Sequence, residues 1–455
     1  MAGLIQSGDF RSFPLARGLA LHVHATPRFK TISTEAFLGR DLGPGATSFA
    51  LLPGLLRRGT RRFPSMQALA RRLEDLYGAS LKGSLLKVGE AHLMSFRISH
   101  PAPAFVPEGE AVLEDALGLL ADVLADPALE DGRFPEAVFA GEAANHRRLL
   151  RGLVNQREDY AEDRLLKAMC GEERYSVHEL GSEEELDGLT PGGLTAFWAS
   201  GLRSWPLDLF VVGDVDPDRA ADLVVRRFGG ERDALAGLAP TERRAPPAQP
   251  RRIEEPFPGA QTRIVQGYRI LGDAGGRRRP AFLALDELLG GDGWSRLFQT
   301  VREAEGMAYD VGSDLEWPKG LLLVSAGVAP GMEDRVLDRV AGEIERLREG
   351  RIELRDLAGA CGRLAADFRS GADSPSALVS EAIEGLLSGE DDSLEARASA
   401  VERVTAEDVA EAARSLRLDT TFLLVPRGED SRSGAGPRPA ARIRPRPRGD
   451  DPHDA

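Results

Sequence analysis

An internal repeat constrains this chain more than any other feature. In the first half, a strand pattern at Leu19–Ala25 (LALHVHA) precedes a second over residues 31–38. Helical patterns follow over 49–58 and 65–77. A hairpin pattern, SLLKVGEAHLMSFRISH, turns at Gly89 between two alternating apolar runs. Longer helical patterns run over 109–124 and 133–170. Thr190 then caps a helix that starts at Pro191, leading to the buried-strand run LDLFVVGDV and a last helix over 217–227. The second half repeats this order. RIVQGYRI reads as a strand, and RRPAFLALDELLGG and SRLFQTVREAEG as helices. YDVGSDLEWPKGLLLVSAGV reads as a hairpin turning at Pro318-Lys319-Gly320. An amphipathic helix carries Val336, Val340, Ile344 and Leu347 on one face. Thr405 caps VTAEDVAEAARSL, and TTFLLVP closes the series as a strand.

Two copies of one α+β unit, each about 200 residues, follow from that order. The expected fold class is α+β: two repeated domains, each a mostly antiparallel sheet packed with helices. The first domain is expected over 16–228, an extended proline-rich and charged linker over 229–259, and the second domain over 260–426. Residues 427–455 carry too few large apolar side chains to fold and read as a disordered basic tail.

Composition narrows the function classes. Lys and Arg total 58 against 72 Asp and Glu, a net charge of −14. A general nucleic-acid binder depends on basic residues that neutralise phosphate, so nucleic acid is not an expected partner. Cys170 and Cys361 are the two cysteines, with no CxxC pair for a zinc-thiolate or dithiol site, and a reducing compartment is the simplest expectation. The N-terminal stretch lacks a basic segment followed by an apolar one, and the chain has no apolar run of about 18 residues. The expected location is therefore cytoplasmic, with no membrane partner.

One segment carries a family likeness. GGDGWSRLFQTVREAEGMAYDVGS, residues 290–313, joins a Gly-rich turn to SRLFQ-x-VRE and then to G-x-AY at the start of a hairpin. It resembles the second-domain motif of the pitrilysin/insulinase family of zinc metallopeptidases, which includes mitochondrial-processing-peptidase-like members. Gly59-Thr60, the EDLYGA stretch over 74–79 and the two-copy layout agree with it.

The resemblance implies where a zinc site should be. In that family the first domain carries H-x-x-E-H shortly before a Gly-Thr pair: two histidines one helical turn apart bind zinc, and the glutamate between them activates the bound water. Counting back from Gly59-Thr60, the matching stretch is Ala50-Leu51-Leu52-Pro53-Gly54. Ala50 and Gly54 stand where the histidines would be, and Pro53 replaces the glutamate. The further glutamate ligand should fall within residues 149–153, which hold leucine, arginine and glycine. No metal ligand or catalytic residue is expected in the first domain, and the chain resembles a noncatalytic member of the family.

Other metal candidates are thin. His22 and His24 alternate on a strand, and Glu142 and His146 lie one helical turn apart, but neither pair has a visible third partner. Gly290, Gly291 and Gly293 form either a plain turn, a close backbone approach or an anion site. Arg302 and Tyr309 carry more. In the family, an Arg and a Tyr of this motif face the zinc site across an enclosed chamber and hold the substrate backbone. A guanidinium donates to a peptide carbonyl and a phenol to a developing oxyanion.

The resemblance thus implies the noncatalytic subunit of a two-chain zinc peptidase. This chain would bind and help enclose peptide through Arg302 and Tyr309. The zinc would sit in an H-x-x-E-H-bearing heterodimer partner. The alternative is a catalytically inactive scaffold or assembly protein with the same fold.

Overall fold

A computed structural model describes residues 5–427 apart from 108, 230–231, 233–234, 273–277 and 391. The tail expected to be disordered lies outside the described residues except for Arg427. Among the described residues, twelve strands form two sheets. They are β1 (Ile5–Ser7), β2 (Phe10–Ala16), β3 (Leu19–Ala25), β4 (Thr31–Asp41), β5 (Ser80–Val88), β6 (Ala91–Pro101) and β7 (Leu207–Gly213) in the first unit. The second unit holds β8 (Arg251–Phe257), β9 (Thr262–Ile270), β10 (Ala308–Glu316), β11 (Leu321–Val328) and β12 (Leu416–Pro426).

The two sheets have the orders β1-β2-β3-β7-β4-β6-β5 and β10-β11-β9-β12-β8. Read from the opposite end, the second order matches the first strand for strand, from β3 to β5. Even the one parallel pairing recurs: β3 runs parallel to β7, and β8 to β12, while every other pairing is antiparallel. The α+β architecture expected from the repeat is the one the chain adopts. β8 falls inside the stretch read as a linker. It is the counterpart of LALHVHA, disguised by its sequence RRIEEPF, whose charges and Pro256 suit an edge strand with one open side.

Each unit has its own core. Helices Ala46–Leu56 and Gly109–Ala125 cover one face of the first sheet, burying Phe49, Leu52 and Leu120 among its strands. Helices Arg279–Asp286, Glu333–Arg348 and Ala406–Ser415 do the same in the second unit, where Val336, Val340, Ile344 and Leu347 point inward as their spacing predicts. The other face of each sheet is covered by the opposite half. Helix Arg157–Met169, from the first half, packs Ala161, Leu165 and Met169 on Val265, Leu323 and Phe422 of the second sheet. Helix Pro375–Ser388, from the second half, packs Leu378, Val379 and Ile383 on Phe37, Leu93 and Phe210 of the first. Burying apolar side chains on both faces of both sheets makes the halves depend on each other for burial.

The helical pattern over 133–170 is two helices, Glu136–Leu153 and Arg157–Met169, separated at Val154–Gln156. That break lets the second helix leave the first core and cross to the second sheet.

Candidate functional site

The helix that would carry H-x-x-E-H is Ala46–Leu56. Its N-terminus is closed by an acid: Glu185 accepts from the N–H groups of Gly45 and Thr47, both at 3.1 Å. Ala50 and Pro53 are buried in the core. Pro53 leaves the carbonyl one turn earlier without its usual donor, tolerable in a helix held mainly by packing. Gly54 faces helix Glu136–Leu153, where a Cβ would overlap the Glu142 carboxylate. Glu142 in turn accepts from Arg58 Nε at 2.6 Å. The volume into which a histidine at position 54 would project is therefore filled by an internal ion pair, a replacement that spacing alone does not reveal.

Residues 149–153 offer no carboxylate in space either. Leu149 is 58% exposed, Leu150 is buried, and Arg151 donates to Glu183 at 2.9 Å. The other metal candidates are engaged within the protein. His146 Nε2 donates to Leu180 O at 2.7 Å, and burial holds the imidazole pKa below its usual value. His22 lies 2.7 Å from Ser12 Oγ and stacks on Phe210, and His24 lies 2.6 Å from Asp9 O. Among the described residues no three His, Cys, Asp or Glu side chains are grouped to hold a metal ion.

The 290–313 motif is built differently. Glu287–Gly291 and Phe298–Ala304 are wound as π-helix, a widened winding common at functional sites. Gly290 lies against β10: a Cβ there would overlap Ser313 N and sit 2.7 Å from Gly312 C. Of the three readings of the glycine cluster, close backbone approach is the one this contact supports at Gly290. Arg302 lies in the last turn of Phe298–Ala304, its guanidinium carbon 4.8 Å from the Phe298 ring centre. Gly306 N–H donates to Arg302 O and Met307 N–H to Val301 O, turning the chain at once into β10. Ala308 pairs with Val328 and Asp310 with Gly327, so Tyr309 is the extra residue of a β-bulge. A bulge turns a side chain out of the regular alternation, and Tyr309 is 57% exposed at the open edge of the sheet. The motif thus places Arg302 and Tyr309 on consecutive elements, with the phenol free to reach a ligand.

A cleft of about 450 Å³ lies where the two units meet, a feature not read from the sequence. Leu85 and Lys87 come from β5, the free edge of the first sheet, and Glu316 from β10, the free edge of the second. Asp159, Glu162 and Asp163 project from helix Arg157–Met169, and the loop through Tyr175 and Glu179 closes the floor. Lys87 Nζ donates to Tyr175 O at 2.8 Å, and Tyr175 OH donates to Glu316 at 2.9 Å. Burial, together with the charges of Glu316, Asp314 and Asp159, pushes the Glu162 carboxyl up to about 7. Five carboxylates share this cleft with a single lysine.

These observations meet the comparisons with known proteins. The family profile described as "Peptidase M16 inactive domain" matches residues 189–364, which include the Gly-rich turn, Arg302 and Tyr309. A mycobacterial relative, the "Uncharacterized zinc protease Rv2782c" of Mycobacterium tuberculosis, is 30% identical over 319 residues, 67% of this chain and 70% of that protein. The chain belongs to the M16 peptidase family. It is a member without H-x-x-E-H, as the residues at positions 50–54 imply. The "Probable inactive metalloprotease YmfF" of Bacillus subtilis is 28% identical over 411 residues, 90% of this chain and 96% of that one. A conserved protein of Enterococcus faecalis shares this fold at a TM-score of 0.86 and 23% identity, over 92% of this chain and 99% of the other. A Pseudomonas fluorescens "peptidase M16 inactive domain" superposes at 0.76 and 20% identity, over 92% and 99%. No described helix of this M16 chain is long and apolar enough to cross a membrane.

Proposed function

We propose that this chain is the noncatalytic subunit of a two-chain M16 peptidase, binding and helping to enclose a peptide that a zinc-bearing, H-x-x-E-H partner cleaves. The observation that carries the reading is Tyr309, turned outward by a β-bulge directly after the helix that holds Arg302. Bulges occur at sheet edges and beside active sites, where they re-aim a side chain, and this one turns an aromatic hydroxyl outward. The phenol and guanidinium suit the polarised carbonyl of a peptide undergoing hydrolysis.

Two further features support it. The free edge of β5 ends at the cleft and offers unpaired backbone groups to an extended peptide. On the helix at 46–56, Glu142 and Arg58 fill the space beside Gly54, which suits a chain that helps enclose the peptide and leaves the metal to its partner. In this reading zinc belongs to the partner, and the assembly works in the cytoplasm, where the buried, unpaired Cys170 and Cys361 stay reduced.

Affinity purification of the chain from its native host tests the reading. Co-elution of a stoichiometric H-x-x-E-H protein with zinc is the expected result. Elution alone, or within a complex lacking zinc and such a partner, points instead to the inactive scaffold.

A further inference from the structure

We propose that the arginine-rich stretch of this chain's own tail, residues 437–448, docks in the cleft between β5, helix Arg157–Met169 and Glu316. The site is a cavity of about 450 Å³ with an unbalanced lining: Asp159, Glu162, Asp163, Glu179 and Glu316 against Lys87 and His178, the latter 3.6 Å from Glu179. Lys87 is already committed to the Tyr175 and Val177 carbonyls, and only Asp163 has a cation of its own on the helix, Lys167 at 2.7 Å. Leu85, Leu153, Leu166 and Leu180 supply apolar walls beside the acids. Acids lining an apolar-walled cleft with so few cations repel one another, and the rise of the Glu162 pKa to about 7 is that repulsion added to burial. An occupant that brings several guanidiniums and short apolar segments relieves it.

The chain carries such an occupant close by. Residues 437–448, PRPAARIRPRPR, hold Arg438, Arg442, Arg444, Arg446 and Arg448 and no acid. The tail is joined to the described residues at Arg427, whose N–H donates to Phe257 O at 3.0 Å. The Phe257 ring lies 5.2 Å from that of Tyr160, on the same helix as Asp159, Glu162 and Asp163. With a rise of about 1.5 Å per residue, those carboxylates lie within roughly 20 Å of the exit point. The 10 residues from 428 to 437 reach a root-mean-square distance of about 18 Å and up to about 35 Å when extended. Joined to the site by that length, the arginines face it at an effective concentration of about a millimolar.

The test uses full-length protein and a fluorescent peptide with the sequence of residues 437–449. Its affinity is measured for the native chain and for a full-length variant in which the five arginines are glutamine. The variant should bind the peptide at least tenfold more tightly, because its own tail no longer competes. In that background, Asp159→Asn with Glu162→Gln should weaken binding at least tenfold. Asp159 is exposed and both changes are near-isosteric, so the fold is not at risk. Equal affinity for the native and tail-neutral chains, no binding to the tail-neutral chain, or binding indifferent to the two cleft substitutions would each overturn the proposal. No partner or peptidase activity enters the readout, so these results stand apart from the purification test.

Discussion

Lys319 of the second unit and Glu90 of the first form an ion pair at 2.6 Å in which neither side chain exposes any surface. Lys319 Nζ also lies 2.6 Å from Glu173 and donates to Glu242 O, in the segment that joins the units. Arg174 holds the second oxygen of Glu90 at 2.8 Å, and Arg269 bridges Glu173 at 2.6 Å to Asp419 at 2.7 Å. The tip of a second-unit hairpin is thus locked to a first-unit hairpin by a largely buried network of charges. Removing the ammonium takes one of two cations from each of two buried carboxylates, leaving Glu90 to Arg174 and Glu173 to Arg269, which costs about 3–5 kcal/mol. Lys319→Met should lower the stability of the chain by that amount in urea unfolding.

The same network sets a pH response. Burial opposes ionisation of Glu90 and Glu173, but hydrogen bonds from Lys319, Arg174 and Arg269 outweigh it and hold both carboxyls below the usual range. Depressed carboxyls contribute stability above their unfolded pKa, about 4.5, and lose it as pH falls through the folded values. Stability should therefore drop steeply below about pH 4.5, and in Lys319→Met that acid-side loss should be blunted.

Glu162 acts with the opposite sign. Burial, Glu316, Asp314 and Asp159 raise its carboxyl to about 7 against one nearby cation, Lys87. A raised carboxyl favours the folded state below about pH 4.5 and loses that advantage as pH rises through 7. In the chain whose five tail arginines are glutamine, where no tail guanidinium offsets the cleft acids, Glu162→Gln should leave stability near pH 5 unchanged and raise it at pH 8 by on the order of 1–2 kcal/mol, measured by urea unfolding at both values.

Gly290 tests the packing of the Gly-rich turn. A methyl group there meets the backbone of Gly312 and Ser313, which has no side-chain freedom with which to yield. Gly290→Ala should cost about 1–3 kcal/mol and shift β10, while Gly293→Ala, whose nearest neighbours lie at 3.9 Å, should be close to neutral. Thermal unfolding of the two variants side by side decides this.

The repeat, the cores and the Arg302–Tyr309 segment were legible because they leave periodic or motif-bearing traces in sequence. Val336, Val340, Ile344 and Leu347 show a helix face directly, and LDLFVVGDV shows a buried strand. β8 escaped because RRIEEPF lies at an edge, where pairing through the backbone asks little of the side chains. Lys319 escaped for a related reason. Pro318-Lys319-Gly320 has the chemistry of an exposed turn, and its burial depends on Glu90 and Glu173, brought to it only by the docking of the two units. Glu142 was visible as a helix neighbour of His146, but its place beside Gly54 needs two distant helices in contact. The cleft is a property of five segments at once and has no trace in any one of them.

The most direct test of the proposed function is peptide turnover by the chain combined with the zinc-bearing partner proposed above, using Arg302→Ala with Tyr309→Phe. Both residues are exposed, so the variant should unfold within about 0.5 kcal/mol of the native chain and still assemble. The account predicts that kcat/KM for an unstructured peptide falls at least tenfold in the assembled pair. Undiminished turnover by an intact pair would contradict it and leave the chain as a scaffold.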